Sequence, residues 1–416
     1  MNRPEESPGW SPEATGAPDP GEKDETEPSP RVLWLIKGLG PGGAERLLVE
    51  QASASAGTVE YRTAYLLPWK SHLVGELEAR GVPVTCLQVS STQDPRWMVR
   101  LGRLVDEFDP DVVHVHSPLL AAATRVLVRI LGSRRPSLVT TEHNRWQRHR
   151  LPTRLVNRLT FPLDDASVAV SEDVRRSMSP RAALSTQVVH HGIDVAAVSS
   201  LRSARERTRA ELGVAGEEFI VGCVANLRKE KAHEVLVDAA RQVCAEDPRV
   251  RFVTVGQGPR EAEFEGLLRR AGLGERFVHL GYRPDAARIT SAFDTFTLAS
   301  RHEGLPVAVM EALALGVPVV ATEAGGLPEA VGTGPEAAGL LVPVDSPSEL
   351  AEAILRVARD GDLRARLSTN ASRRAQLFDA RVSCERLERL YSELARARRN
   401  RARRGRRLAA RSSSSR

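Results

Sequence analysis

The sequence is poor in lysine, aromatic residues and cysteine. Five lysines stand against 54 arginines, aromatics make up 4% of the chain, and there are four cysteines in 416 residues. Cys86, Cys223, Cys244 and Cys384 lie far apart and show no metal-ligand spacing. That excludes a disulfide scaffold or a zinc module and fits a reducing compartment. Cys86 and Cys223 fall in strand-like runs and read as small core residues. No charge-free apolar run reaches 18 residues, so no spanning helix is expected. The first thirty residues hold no apolar h-region, and a secretory signal is not expected there.

Acid is missing from one end. Residues 396–416 hold ten arginines and no Asp or Glu, whereas residues 1–30 hold eight acids against Arg3 and Lys23. The net charge of +6 therefore sits at the ends, leaving +2 on residues 31–395. A body so near neutrality lacks the basic face of a nucleic-acid binder, and no nucleic-acid partner is expected. Residues 1–30, rich in Pro, Glu, Ser and Gly, are expected to be disordered. The Arg-rich tail, 396–416, is expected to be disordered as well. Such a tail would be drawn to an anionic membrane surface. The expected location is the cytoplasm, peripheral at the inner face of the cell membrane.

What the chain has in abundance is alternation of short apolar runs with amphipathic stretches. RVLWLI, RTAYLL, VPVTCL, DVVHVH, SLVTT, ASVAV and QVVHH form a first set of strand candidates. FIVGCVA, RFVTVG, RFVHLG, TFTLAS, VPVVAT and GLLVPV form a second. Helical patterns separate them, as in parallel sheets covered on both faces. Length also asks for two cores. The expected organisation is an N-terminal Rossmann-like domain over 31–195, a linker over 196–217 and a C-terminal Rossmann-like domain over 218–377. A final helix, 378–395, is expected to pack back on the first domain.

Two turns stand out. Gly38, Gly40 and Gly43 match G-x-G-x-x-G between a strand and a helix, where backbone amides approach a phosphate. The nicotinamide-dinucleotide reading also wants an acid after the second strand, and Pro68-Trp69-Lys70 stands there instead. The second turn is SRHEGLPVAVMEALALG. It puts Glu303 at the carboxyl end of a strand and Glu311 on an apolar helix, where a carboxylate is costly without a partner. Asp109-Pro110-Asp111 formally matches D-x-D but precedes its strand, at the wrong end of the sheet for a ligand, so no metal is expected. His114 is expected to point to the other face of its strand from His116, into the core.

The spacing Glu303-x7-Glu311, the following A-L-x-x-G-x-P-V-V-A-T, Gly325-Gly326, the opening GGAERLL, His116 in HVHSP, His143 in TTEH and HHGID together resemble glycosyltransferase family 4. The resemblance covers roughly 32–395. It implies a GT-B fold, two Rossmann-like domains facing across a cleft. It also implies retaining, metal-independent transfer from a UDP- or GDP-sugar, with no cofactor. The acceptor it implies is a glycan, a lipid-linked sugar or a small molecule, in cell-envelope polysaccharide or glycolipid synthesis. By the same resemblance Arg228 and Lys231 hold the donor diphosphate with the amides of Gly42 and Gly43. Many members carry arginine at the position of Asn226, and Arg228 takes that role here. Glu303 touches the donor sugar with Gly304 and Leu305 nearby, Glu311 accepts from the ribose, and His143, with His116, faces the reacting sugar. Two other classes stay open: a nicotinamide-dependent oxidoreductase using Gly38–Gly43, and a non-catalytic scaffold on a degenerate transferase fold.

Overall fold

The computed structural model describes residues 28–40, 42–130, 135–214 and 216–413. The disorder expected of residues 1–30 thus falls almost wholly outside the described residues. Among the described residues, thirteen strands form two parallel sheets. The first holds β1 Arg31–Ile36, β2 Glu60–Tyr65, β3 Val84–Cys86, β4 Val112–Val115, β5 Ser137–Glu142, β6 Ala166–Ala169 and β7 Thr186–Val188. Their order is β3-β2-β1-β4-β5-β6-β7. The second holds β8 Phe219–Val224, β9 Val250–Val255, β10 Phe277–His279, β11 Thr295–Leu298, β12 Val319–Thr322 and β13 Gly339–Val342. Their order is β10-β9-β8-β11-β12-β13. Both are doubly wound, the GT-B arrangement expected.

Burial on both faces explains the unbroken apolar runs. In β1, Val32, Trp34 and Ile36 pack toward the helix Gly43–Ala54, while Leu33 and Leu35 pack toward the helices Arg96–Phe108 and Pro118–Ile130. In the second sheet β11 and β12 are buried at every position.

Two boundaries differ from expectation. Residues 196–217, expected as a linker, carry the helices Val195–Ser200 and Arg205–Glu211. Val198, Leu201, Leu212 and Val214 pack against the second domain's core, because that core offers them a surface to bury. Arg209 also pairs with Asp294 at 3.0 Å. The chain therefore enters the second domain soon after Ile193. It returns beside the same point: Ile193 N donates to Phe378 O at 2.9 Å, and Ala380 N donates to Ile193 O at 2.8 Å.

The last helix spans Ala380–Ser413 instead of ending at 395, so the tail expected to be disordered is helical through most of its length. As expected, this helix packs on the first domain. Tyr391 is fully buried there, and the Glu388 carboxylate accepts from Ser55 Oγ, Thr58 Oγ1 and Tyr61 Oη. The first tail arginines are held by acids distant in sequence. Arg398 and Arg399 reach Asp111 at 3.1 and 2.7 Å, and Arg398 also pairs with Asp109. Asp109-Pro110-Asp111 is thus an arginine clamp below β4. Removing Arg398 and Arg399 leaves the buried Asp111 without its cations. Arg398→Ala/Arg399→Ala is expected to lower stability by about 2–3 kcal/mol, less than a fully buried pair because both arginines keep some water contact. An unchanged urea midpoint would show the clamp idle.

Candidate active site

In doubly wound sheets ligands bind beyond the strand carboxyl ends, where the strand order reverses. Here those points lie between β1 and β4 and between β8 and β11. The loops that leave these four strands carry the glycine turn, His116, Arg228 with Lys231, and Glu303. Topology therefore brings four sequence motifs into one cleft.

In the second domain, Lys231 ends a short 3-10 turn, Lys229–Lys231. Ala232 behind it is buried in the left-handed region, at φ 46°, an uncommon conformation for a residue with a Cβ. Lys231 Nζ lies 2.6 Å from Glu303 Oε1, which also accepts from Ser300 Oγ. The other carboxylate oxygen, Oε2, has no partner among the described residues. Gly325, at φ 58°, packs on the Glu303 carbonyl where a Cβ would overlap it. The Arg228 side chain is exposed and makes no ion pair among the described residues.

In the first domain, Gly42 caps the helix Gly43–Ala54 and offers no side chain to the first-turn amides, the end of a helix that favours an anion. Glu45, in that turn, folds back over Gly42. Burial raises its carboxyl pKa, while its own backbone amide, Lys70 and Arg228 pull it down. Arg228 therefore faces the glycine turn across the cleft, with one carboxylate between them.

The domains touch at the same place. The carbonyl of His143 sits on Gly304, where an added Cβ would come within 2.7 Å of it. His191 Nε2 donates to Leu305 O at 2.8 Å, which leaves Nδ1 buried and unpartnered. His190 and the Glu172 amide both reach Glu329. His143 Nε2 lies 3.3 Å from His116 Nδ1. Burial, with neighbouring imidazoles, holds both well below the usual histidine range, so both are neutral near pH 7.

Glu311 faces the first helix, with Arg46 and Glu50 nearby. Its carboxyl is pushed up to about 7, by burial first and by Glu50 second, against Arg46. It has no hydrogen-bond partner among the described residues. Its neutral form therefore predominates below pH 7, and its ionised form above. A diol ligand donates to the carboxylate, so donor KM is expected to be several-fold higher at pH 6 than at pH 8. Glu311→Gln should flatten that profile; an unchanged profile would remove Glu311 from the ligand site.

All ten residues singled out from sequence lie around this cleft. One placement needs correction. His114 is buried, bonded to Tyr391 Oη at 2.6 Å and Thr141 Oγ1 at 2.7 Å, but its ring stands 4.2 Å from that of His116. Residues two apart share a strand face, so His114 lies deeper on the same side and not on the other face. Sequence reading missed Glu45, Ser300 and His191. Glu45 and His191 sat inside motifs already noted, GGAERLL and HHGID; Ser300 had no signal beyond its strand end.

Two family models match the chain, one for each domain. The model described as Glycosyltransferase Family 4 matches residues 41–197, and that described as Glycosyl transferases group 1 matches residues 204–374. The D-inositol 3-phosphate glycosyltransferase of Corynebacterium jeikeium is 34% identical over 200 residues, 46% of this chain and 47% of that one. The match thus spans about half the length of that relative. The alpha-D-kanosaminyltransferase of Streptomyces kanamyceticus is 27% identical over 62% of this chain and 71% of its own. Among solved structures, HepE of Anabaena in complex with UDP superposes with TM-score 0.76 at 25% identity, over 87% of this chain and all of that one.

Proposed function

Because the chain belongs to glycosyltransferase family 4, we propose that it transfers a sugar from a UDP-sugar to a glycan, lipid-linked or small-molecule acceptor, with retention and without a metal ion. The observation that carries this reading is the Lys231–Glu303 pair at 2.6 Å, facing a glycine turn across the cleft. UDP is favoured over GDP because HepE, similar along its whole length, was solved with UDP and with UDP-glucose. One relative is named for an acceptor, D-inositol 3-phosphate, and another for the sugar it transfers, kanosamine, so only the acceptor's chemical class is proposed. Its place is cell-envelope polysaccharide or glycolipid synthesis.

In this reading the acceptor hydroxyl attacks the anomeric carbon on the face the diphosphate leaves. The bond from that carbon to the phosphate oxygen breaks, the new glycosidic bond forms, and the hydroxyl proton passes to the departing phosphate oxygen. Lys231, Arg228 and the glycine-turn amides balance the charge that gathers on the diphosphate. Glu45 must move from the turn, or take a proton, as the anion arrives. Glu303 orients the sugar hydroxyls, Glu311 the ribose, and the neutral imidazole of His143 borders the sugar.

Two facts weigh against a nicotinamide enzyme and a metal-dependent transferase. No acid stands at the end of β2 to hold the adenosine ribose of a dinucleotide, and the formal D-x-D is occupied by Arg398 and Arg399. The test is UDP release from UDP-glucose in EDTA, with the product anomer read by NMR. Turnover that survives chelation with retained configuration is expected. Loss in EDTA restored by Mn²⁺ would refute the metal-free mechanism, and inversion would refute retention.

A further inference from the structure

The helix Leu151–Thr160 lies inside out. Leu151, Leu155 and Leu159 recur every four residues on one face, and they are 70%, 58% and 70% exposed. The opposite face buries Asn157, which donates to Glu142 Oε1 at 2.8 Å and accepts from Arg125. The neighbouring helix, Pro118–Ile130, packs beside it and shows the same habit. Its Val126 is largely exposed and its Ile130 is 76% exposed. Among the described residues, half of the exposed large apolar side chains thus gather on two adjacent helices. Apolar surface concentrated in this way marks an interaction site.

Charge says what the site meets. From Val112 to Leu163 the chain carries nine arginines, and its one acid is Glu142, which is buried. Arg148, Arg150, Arg154 and Arg158 run beside the leucines, and their side chains form no ion pair among the described residues. Leucines flanked by unpaired arginines fit a surface with anionic headgroups above hydrocarbon. The cleft is close: Arg148 and Arg145 act electrostatically on His302, next to Glu303. The tail arginines Arg398 and Arg399 lie at the opposite end of the first sheet, below β4. Among the described residues no helix is long and apolar enough to cross a membrane, so the contact would be peripheral.

We propose that the paired helices Pro118–Ile130 and Leu151–Thr160 form a docking face for an anionic lipid bilayer, with the leucines entering the interface and the arginines meeting the headgroups. The proposal does not depend on which sugar or acceptor the cleft takes.

The test is co-sedimentation of the full chain with vesicles of phosphatidylglycerol and phosphatidylcholine, against phosphatidylcholine alone. Four proteins are compared: the unaltered chain, Leu155→Glu/Leu159→Glu, Arg154→Glu/Arg158→Glu, and a chain ending at residue 402, which keeps the Asp111 clamp. The unaltered chain should bind the anionic vesicles and release them as salt rises. Either double variant should weaken binding at least tenfold, while the shortened chain keeps most of it. The substituted side chains point to solvent, and Leu155→Ser/Leu159→Ser serves if the charged pair disturbs folding. Absence of binding by the unaltered chain would overturn the proposal. So would binding that the double variants leave intact and the shortened chain loses, which would move the contact to the tail. A dimer that Leu155→Glu/Leu159→Glu dissociates, with no vesicle binding, would assign the face to a second copy of the chain.

Discussion

Replacing Lys231 by alanine is expected to lower kcat by about 10²–10³, the usual cost of one preorganised charge donor in a closed site. Lysine is scarce, five residues in all, and among the described residues Lys231 alone pairs with Glu303. In the proposed reaction its ammonium would stand beside the charge that the departing diphosphate develops. Lys231→Ala also strips Glu303 of its cation. Lys231→Arg keeps the charge but not the compact ammonium geometry, so partial recovery is expected. Steady-state kinetics with UDP-glucose separates the outcomes. A rise confined to KM would make Lys231 a ground-state binder only. A change below threefold in both constants would take it out of the mechanism.

The second large effect is expected at Glu303. Its Oε1 is committed to Lys231 and Ser300, and in the proposed reaction Oε2 would serve the sugar. Glu303→Ala should lower kcat by about 10², with a smaller change in KM, because the interaction is made chiefly as the sugar loosens from its phosphate. Glu303→Gln keeps one acceptor oxygen and should lose less. Glu311→Ala should do the reverse, raising donor KM with kcat nearly kept, since the ribose is held alike before and after transfer. If Glu303→Ala and Glu311→Ala gave equal and small effects, both would be structural carboxylates.

The thirteen strands were legible because each is a short apolar run bounded by turn residues, and the doubly covered sheets need such runs. The cleft followed from placing Glu303 and Lys231 after strands. What sequence did not disclose were partners distant along the chain. Nothing local to Arg398 and Arg399 names Asp111, some 287 residues earlier. The linker looked polar because its apolar residues, Val198 to Val214, are thinly spread, and only the second core shows what they cover. The outward leucines of Leu151–Thr160 were hidden for a related reason. An amphipathic pattern tells that a helix has two faces, and here the buried Asn157, held by Glu142 and Arg125, decides which one turns inward. His114 needed no distant partner, since strand periodicity alone puts it on the side of His116.

In the proposed reading a nucleoside diphosphate is held between the glycine turn and the face carrying Lys231 and Glu311. Calorimetry with UDP, in EDTA, tests it most directly, on the full chain and on Glu311→Ala and Lys231→Ala. UDP is expected to bind the unaltered chain. Each substitution should weaken it about tenfold, roughly the value of one hydrogen bond to a charged group. NAD is expected to give no heat. Binding of NAD without UDP, or UDP binding indifferent to both substitutions, would contradict the account.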